Sequence, residues 1–457
     1  MPREKCGLLA ISGTYDSKLG DKLFWGISSL QHRGQESAGV AIFSETTFLI
    51  SGRGMVADVF APYENLSKYG GIAGIAHVRY GHEGETDKAN QPIHISSPMG
   101  DLYLAFNGSI TNYDELIGII DEDIKATDDD ITDIACIGYV LSTLLRQERD
   151  IVSGLSKLLG IICGAYSIIL MFQNAIYSLR DRYGFRPLCY GVTQEGQYIF
   201  ASESCAIERL GATVAREVDP GEIVYCDETG IHFDQSRCSE VPSSLCCFEY
   251  FYFANPVSRV GGCLVQTIRC QAGRMLALRA PVHCDLVIGV PDSGVDAAKG
   301  YAKELGLPYG NGFCRDERVP RTFIVPNQKE RERLVRAKLA VIPEVVKDKE
   351  IVVVDDSIVR GTTCKHIAHL LRQAGAKAIH LRICSPKFVC DCPYGTDIGE
   401  KEGLIAHRRT TEEIAICLGV DSLGYLEPED VDALICTFSS HSRVCKACFD
   451  GVYPDGK

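Results

Sequence analysis

The chain has 457 residues, of which 46% are hydrophobic and 23% charged, the balance of a globular protein of two or three domains rather than of a disordered or fibrous chain. Its formal charge of −13 gives no bulk attraction to nucleic acid or anionic membrane. The 21 cysteines are odd in number and sparser than in a disulfide scaffold, so thiolate chemistry or metal binding is their expected use.

The opening MPREKCGLLAI is charged and then briefly apolar, without a stretch of signal-peptide length, which reads as a cytoplasmic protein. Cys6 leads into an apolar run. Such a cysteine is usually a small core residue. The alternative is a nucleophile exposed by removal of Met1–Lys5, whose own α-amine, with a pKa of ~8, serves as its base. Short apolar runs broken by Gly, Asn and Asp follow: GLLAISG, GVAIF, TFLISG, GIAGIAHV, LYLAFNGS, AYSIILMF, AIYSLRD, YIFASES and EIVYCDETG. Many short strands with turn punctuation predict stacked or closed sheets. Helical patterns interrupt them at Lys22–Gln31 and Asp130–Leu145. The longest apolar stretch, Leu158–Phe172, falls short of the ~20 residues of a membrane span, and its β-branched end predicts a buried strand. The polar stretch Phe233–Ser244 marks a domain boundary. The expected division is a leader, 1–5, a first domain, 6–238, and a second, 239–457.

Beyond the boundary, strand and helix alternate in the βαβ rhythm of a parallel sheet. The sharpest motif is IVVVDDSIVRGTT, Ile351–Thr363. Its apolar run predicts a buried parallel strand that delivers Asp355 and Asp356 to the C-terminal edge, where open α/β sheets bind ligands. The loop from Ser357 through Arg360 and Gly361 opens a helix whose first N–H groups, on Thr362 and Thr363, suit a phosphate. Two adjacent carboxylates beside it suit a sugar diol and Mg²⁺. An ordinary strand, turn and capped helix would explain any one of these features, but not all of them together. The turn VPDSG offers Asp292, Ser293 and Gly294 to a pyrophosphate, with Ser293 in reach of Mg²⁺. The run from Arg315 to Leu339 is densely basic, with Arg321, Arg336 and Lys338 as candidates for pyrophosphate charge. A solvated helix of alternating charges accounts for its KERER portion. The Ile351–Thr363 segment resembles the phosphoribosyl-diphosphate (PRPP) motif of type I phosphoribosyltransferases, and the basic run resembles the loop those enzymes close over PRPP.

In the first half, LQHRGQESAG, HVRY, FNGS and TDDD resemble the N-terminal-nucleophile class of glutamine amidotransferases. With the PRPP motif behind them, and with GAYS, RDRYGFRPL, ASESCAIE and CFEYFYFANP between, the chain resembles the glutamine PRPP amidotransferase family over essentially its whole length. That resemblance implies an αββα sandwich followed by a type I phosphoribosyltransferase α/β domain with a mainly parallel sheet. It implies that Cys6 attacks the glutamine amide, that Arg79 pairs with the substrate α-carboxylate, that Asp128 holds the α-ammonium, and that the Asn107 side chain and Gly108 N–H form the oxyanion hole. Read locally, Asn107-Gly108 is also a hairpin-turn signal. Three motifs depart from the usual family pattern: TDDD, FANPVS and RDRYG.

Cys445 and Cys448 form a C-x-x-C pair that alone is compatible with redox chemistry, zinc or chance. The resemblance adds Cys246 and Cys392 and implies a 4Fe–4S cluster on these four, with Zn²⁺ at the same four cysteines as the alternative. It also implies glutamine and PRPP as substrates, purine nucleotides as feedback inhibitors, a homotetramer, and no nucleic-acid or membrane partner. The implied reaction passes ammonia from glutamine to C1 of PRPP, giving 5-phosphoribosylamine, glutamate and pyrophosphate, the opening step of purine synthesis. A non-catalytic PRPP-sensing regulator and an amidotransferase with another acceptor are the competing readings.

Overall fold

The computed structural model describes residues 6–81, 87–122, 131–238, 243–315, 339–396 and 398–456. The chain divides into two compact units. The first runs through Leu245 and takes in Ser258–Val260 and Pro393–Asp397; the second takes the rest.

The first unit is built on thirteen strands, all in antiparallel pairings where the register is defined: β1 (Gly7–Asp16), β2 (Ser37–Phe43), β3 (Thr47–Arg53), β4 (Gly71–Arg79), β5 (Ile93–Ser97), β6 (Gly100–Ile110), β7 (Gly164–Phe172), β8 (Ala175–Arg180), β9 (Cys189–Val192), β10 (Tyr198–Ala201), β11 (Thr213–Glu217), β12 (Ile223–Asp227) and β13 (Gly230–Asp234). They form a seven-stranded sheet, β11-β9-β10-β1-β4-β2-β3, and a six-stranded sheet, β13-β12-β8-β7-β6-β5. The facing surfaces meet through Ala10, Ala41, Ala73 and Ala105 with Ile75, Ile169 and Met171. Helix α1 (Leu19–Ser28) packs Leu19, Leu23 and Ile27 on the outside of the first sheet, against Leu9, Ile11 and Val40. Helices α2 (Asp133–Glu148) and α3 (Ile151–Ile161) cover the other sheet, with Ile137, Leu141, Leu155 and Leu158 near Leu104, Phe106 and Ile168. The layers are therefore αββα. Because side chains alternate along a strand, β1 sends Leu8 and Ala10 between the sheets and Leu9 and Ile11 toward α1.

The predicted helical patterns form α1 and α2, and the side chain of Thr132 caps α2 by accepting from Ala135 N at 3.4 Å. The apolar stretch Leu158–Phe172 is not one strand. It is the end of α3, a break at Ile162–Cys163, and β7.

The second unit carries four parallel strands in sheet order, β14 (Leu286–Gly289), β15 (Glu350–Asp355), β16 (Ala378–Ile383) and β17 (Ser422–Tyr425). Ile351–Val354 are fully buried, as expected of a strand covered on both faces. Helices α4 (Val265–Arg279) and α5 (Gly294–Leu305) cross with backbones nearly touching: a Cβ on Gly300 would lie 2.0 Å from Cys270 O. This contact seats the start of α5 directly after β14. Helix α6 (Thr362–Gln373) follows β15. Among the described residues no helix is long and apolar enough to cross a membrane.

Candidate active site

The β1–β4 register pairs Leu8 with His77 and Gly7 with Val78, so one further step sets Cys6 beside Arg79. Cys6 is fully buried. Its carbonyl oxygen accepts from Arg33 Nε at 3.0 Å, and Arg33 Nη1 donates to Glu203 Oε1 at 2.7 Å. His32 Nε2 donates to the same carboxylate oxygen at 2.8 Å, and Ser258 Oγ donates to Oε2 at 2.6 Å. Burial pushes the Glu203 carboxyl up, but the charges of His32 and Arg33 and the bonds from His32 and Ser258 outweigh it and hold it well below the usual carboxylate range. The neighbouring Ser202 grips β1: its Oγ accepts from Leu8 N and its N–H donates to Leu8 O, both at 3.0 Å. Glu36 holds the turn after β4. Its N–H donates to Arg79 O at 3.0 Å and its Oε2 accepts from Gly81 N at 3.1 Å.

Asn107 and Gly108 lie within β6 rather than in a hairpin turn. Asn107 is fully buried, and neither its amide oxygen nor its amide nitrogen has a hydrogen-bond partner among the described residues. A buried amide with nothing to bond costs free energy unless a ligand completes it. Along β6, the N–H of Thr111 reaches Cys163 O past the end of β7. The N–H groups of Phe106 and Ile110 instead leave by the other edge, to Gln91 Oε1 at 2.7 Å and Asp133 Oδ2 at 3.5 Å. Since backbone groups alternate, Gly108 N–H faces that second edge too. The adjoining β5 reaches back only as far as the pair Ile93–Leu104, so among the described residues no strand covers it. Gly108 has φ 153°, and a Cβ there would lie 2.0 Å from Ala165 O, so the position demands glycine. The RDRYG segment is structural: Asp181 accepts from the N–H groups of Tyr166, Tyr183 and Phe185.

In the second unit, β14 and β15 deliver two loops to one sheet edge. Ser293 Oγ donates to Asp356 Oδ1 and Ser357 Oγ to Asp356 Oδ2, both at 2.5 Å, and Asp356 N donates to Asp355 Oδ1 at 2.9 Å. Both carboxylates are buried. Burial, and then the charge of Asp356, push the Asp355 carboxyl well above its usual range. The α5 and α6 N-termini have no side-chain cap, because Ser293 is spent on Asp356 and Gly361 (φ 79°) precedes α6. The first N–H groups of α6 face no side-chain cap and suit a ligand, whereas at α5 Gly294 N and Val295 N already donate to Val290 O at 2.9 Å and Asp292 O at 3.4 Å. Gly294 sits against β15, a Cβ there lying 2.4 Å from Val354 O, and Arg360 packs over Gly399.

Cys246, Cys392, Cys445 and Cys448 all belong to the second unit. The Cys448 thiol is pushed well up, by burial first and then by Cys247, Cys392, Cys246 and Cys445; burial, Cys246 and Cys392 act likewise on Cys445. Backbone bonds bring their segments together: Cys247 N–H donates to Cys445 O at 3.0 Å and Cys390 N–H to Cys448 O at 3.2 Å. The rings of Phe248, Phe388 and Phe449 pack in series beside them. Among the described residues no three His, Cys, Asp or Glu side chains converge to hold a single metal ion.

The structure thus brings Cys6, Arg79 and the Asn107–Gly108 peptide into one sandwich, and Asp292–Gly294 and Asp355–Thr363 to one sheet edge. Met1–Lys5, Asp128, Arg321, Arg336 and Lys338 lie outside the described residues. Sequence reasoning assigned nothing to Arg33, Glu203, Ser258, His77 or Gln91. Their only signal was membership in the motifs QHRG, ASES, FANPVS and HVRY, or adjacency to a strand start.

Comparison with known proteins agrees with this division. Residues 77–209 match the glutamine amidotransferase domain and residues 275–385 the phosphoribosyl transferase domain. An amidophosphoribosyltransferase of Archaeoglobus fulgidus is 39% identical, over 98% of each chain. A chloroplastic amidophosphoribosyltransferase of Vigna aconitifolia is 40% identical, over 99% of this chain and 92% of its own. The structure of glutamine PRPP amidotransferase from B. subtilis, complexed with ADP and GMP, superposes with a TM-score of 0.87 at 36% identity, over 98% of this chain and 97% of that one. The chain belongs to the amidophosphoribosyltransferase family.

Proposed function

We propose that the chain hydrolyses glutamine at Cys6 and uses the ammonia to aminate PRPP, giving 5-phosphoribosylamine, glutamate and pyrophosphate at the start of purine synthesis. The observation that carries this reading is the buried Asn107 amide, which among the described residues has no hydrogen-bond partner and lies beside an N–H edge that no strand covers, in the same sandwich as Cys6 and Arg79. It is the shape of a site built for a developing oxyanion.

In this reading Cys6 attacks the glutamine amide carbon. The oxyanion lies on Asn107 Nδ2 and Gly108 N–H, and the thiol proton goes to the departing ammonia. Water then hydrolyses the thioester to glutamate. Once Met1–Lys5 is removed, the Cys6 α-amine serves as the base. Arg79 takes the substrate α-carboxylate as a planar fork, and Asp128 takes the α-ammonium. The ammonia travels shielded from bulk water, which would protonate it. At PRPP it forms the new C–N bond at C1 as the C–O bond to pyrophosphate breaks. Asp355 and Asp356 face the ribose hydroxyls. The N–H groups of Thr362 and Thr363, with Ser357, Arg360 and Gly361 shaping the loop, face the 5-phosphate. Asp292, Ser293, Gly294, Arg321 and Lys338 face the pyrophosphate.

Asp355, Asp356 and Ser293 fit Mg²⁺, since a buried carboxylate pair in which one member is driven up by the charge of the other suits a divalent cation. The ion supplies charge neutralisation on the leaving group. Cys246, Cys392, Cys445 and Cys448 are read as the ligands of a 4Fe–4S cluster, with Zn²⁺ at the same four thiols as the alternative, since four soft thiolates suit either. The cluster would clip the C-terminal tail to the start of the second unit. Purine nucleotides as inhibitors, a homotetramer and a cytoplasmic location complete the reading.

The test is glutamine-dependent pyrophosphate release from PRPP with Mg²⁺, alongside Cys6→Ser. Wild type releases pyrophosphate with glutamine or ammonia; Cys6→Ser does so with ammonia only. A wild type inert toward PRPP overturns the reading. Iron and sulfide analysis after anaerobic purification tests the cluster, and stoichiometric zinc without iron overturns it.

A further inference from the structure

We propose that His77 and Gln91 are positioning residues of the glutamine site, which together fix the two peptide groups flanking Phe106 and through them the Asn107 amide and Gly108 N–H. The proposal rests on the reading of Cys6, Asn107 and Gly108 given above.

Where β5 stops, β6 loses its neighbour. The next residue back along β5 is Pro92, which has no N–H to continue the ladder. Phe106, opposite this gap, has its own N–H and C=O turned toward it. Two side chains take the place of the missing strand. Gln91 Oε1 accepts from Phe106 N at 2.7 Å, and His77 Nε2 donates to Phe106 O at 3.1 Å. His77 comes from β4, in the facing sheet, so this bond crosses the sandwich. Both side chains are buried, His77 completely. Room for Gln91 comes from Gly39, the β2 residue paired with His77: a Cβ there would lie 2.1 Å from Gln91 O.

A buried histidine bonded to a carbonyl is ordinarily just a satisfied core residue. Two features set this one apart. The carbonyl belongs to the residue immediately before Asn107, and the N–H of the same residue is held by a second side chain from elsewhere. Gln91 holds the N–H of the Ala105–Phe106 peptide and His77 the C=O of the Phe106–Asn107 peptide, so the planes on both sides of Phe106 are fixed. The plane of the Phe106–Asn107 peptide sets the direction from which the Asn107 side chain leaves the backbone, and the Gly108 N–H follows one peptide on. Two residues before Arg79 on β4, His77 also ties the oxyanion donors to the strand that presents the α-carboxylate ligand.

Removing the clamp should loosen transition-state stabilisation while leaving glutamine binding intact, since a displacement of ~1 Å costs about 100-fold in rate. The experiment compares wild type, His77→Leu, His77→Gln and Gln91→Ala, with Cys6→Ser as reference. His77→Leu is expected to lower glutamine-dependent kcat about 100-fold with the glutamine KM within about threefold. Ammonia-dependent turnover stays at the wild-type level. His77→Gln, which can still donate, recovers to within about tenfold of wild type, and Gln91→Ala loses at least about tenfold. A γ-aldehyde analogue of glutamine, which forms a tetrahedral adduct with the thiol, loses affinity in the same proportion as kcat. A purely structural role would not produce that match. The proposal is overturned if folded His77→Leu keeps kcat within about threefold, or if the KM rises while kcat holds. Should His77→Leu not fold, His77→Gln and Gln91→Ala decide: equal loss of kcat and glutamine affinity in them overturns it. If Cys6→Ser retains glutamine-dependent turnover, the reading beneath has failed instead.

Discussion

Glu203 is the charge on which the Cys6 end of the first unit is assembled, so its removal has a calculable cost. The carboxylate and the Arg33 guanidinium are both fully buried and bonded at 2.7 Å. Glu203→Leu removes the carboxylate bonded to that buried guanidinium, a loss of about 3–5 kcal/mol. At about 2–4 °C per kcal/mol for a domain of this size, the first unit should melt about 6–20 °C lower. Arg33→Met/Glu203→Leu removes both charges. Replacing a whole buried pair by apolar side chains is close to neutral, so the double variant should recover most of the stability. It should not recover activity, because Cys6 O has lost the Arg33 Nε that held it at 3.0 Å. Calorimetry together with glutamine- and ammonia-dependent turnover reads both quantities. A single variant that melts within about 2 °C of wild type refutes the reasoning, as does a double variant no more stable than the single.

Asn107→Ala should lower glutamine-dependent kcat by about 100–1,000-fold, as loss of one oxyanion donor does, with ammonia-dependent turnover retained in the same steady-state assay. Asp356→Asn, which breaks the acceptor set held by Ser293 and Ser357, should raise the PRPP KM at least about tenfold in titrations at fixed Mg²⁺. Gly300→Ala should destabilise the second unit in denaturant titrations, since its Cβ would meet Cys270 O. Burial first, and then the charge of Arg79, pull the His77 pKa down to about 3 from 6.5. The unfolded chain then binds a proton that the folded one refuses. His77's contribution to stability is complete above pH 6.5 and falls by about 1.4 kcal/mol per pH unit on acidification toward pH 3, a slope His77→Gln should reduce in calorimetry from pH 4.5 to 7.

The elements that were legible in the sequence carry their own local signal. The run before Asp355 is apolar at every position because both faces of β15 are covered, and α1 and α2 show the helical period. The β-branched end of Leu158–Phe172 forms the expected buried strand, β7, while its start closes α3; a stretch apolar throughout has no period to mark that change, which falls at Ile162–Cys163. Of the residues that motif resemblance picked out, Cys6 lies beside Arg79 in the strand register, and the Asn107 amide has no hydrogen-bond partner among the described residues. The supports were not legible. Arg33 and Glu203 are 170 positions apart, and Ser258 reaches Glu203 from 55. No spacing rule links such residues, and each alone reads as an ordinary surface polar type.

The contrast between the two sites follows from strand direction. In a parallel sheet every strand ends at the same edge, so β14 and β15 bring Ser293 and Asp356 to bonding distance with no further device. A motif at the end of an apolar run is then nearly sufficient to locate the site. In the antiparallel sandwich, neighbouring strands end at opposite edges. In the proposed reading the nucleophile Cys6 immediately precedes β1, and the α-carboxylate ligand and oxyanion donors sit on β4 and β6, in two different sheets. Sheets facing each other across small side chains can slide, and backbone ladders within each sheet do nothing to prevent it. Bonds that cross between layers or between distant segments must supply the registration. Arg33 and Glu203 do so at Cys6, and His77 does so at Phe106. Buried polar residues that touch no substrate are therefore where this half of the protein concentrates its precision.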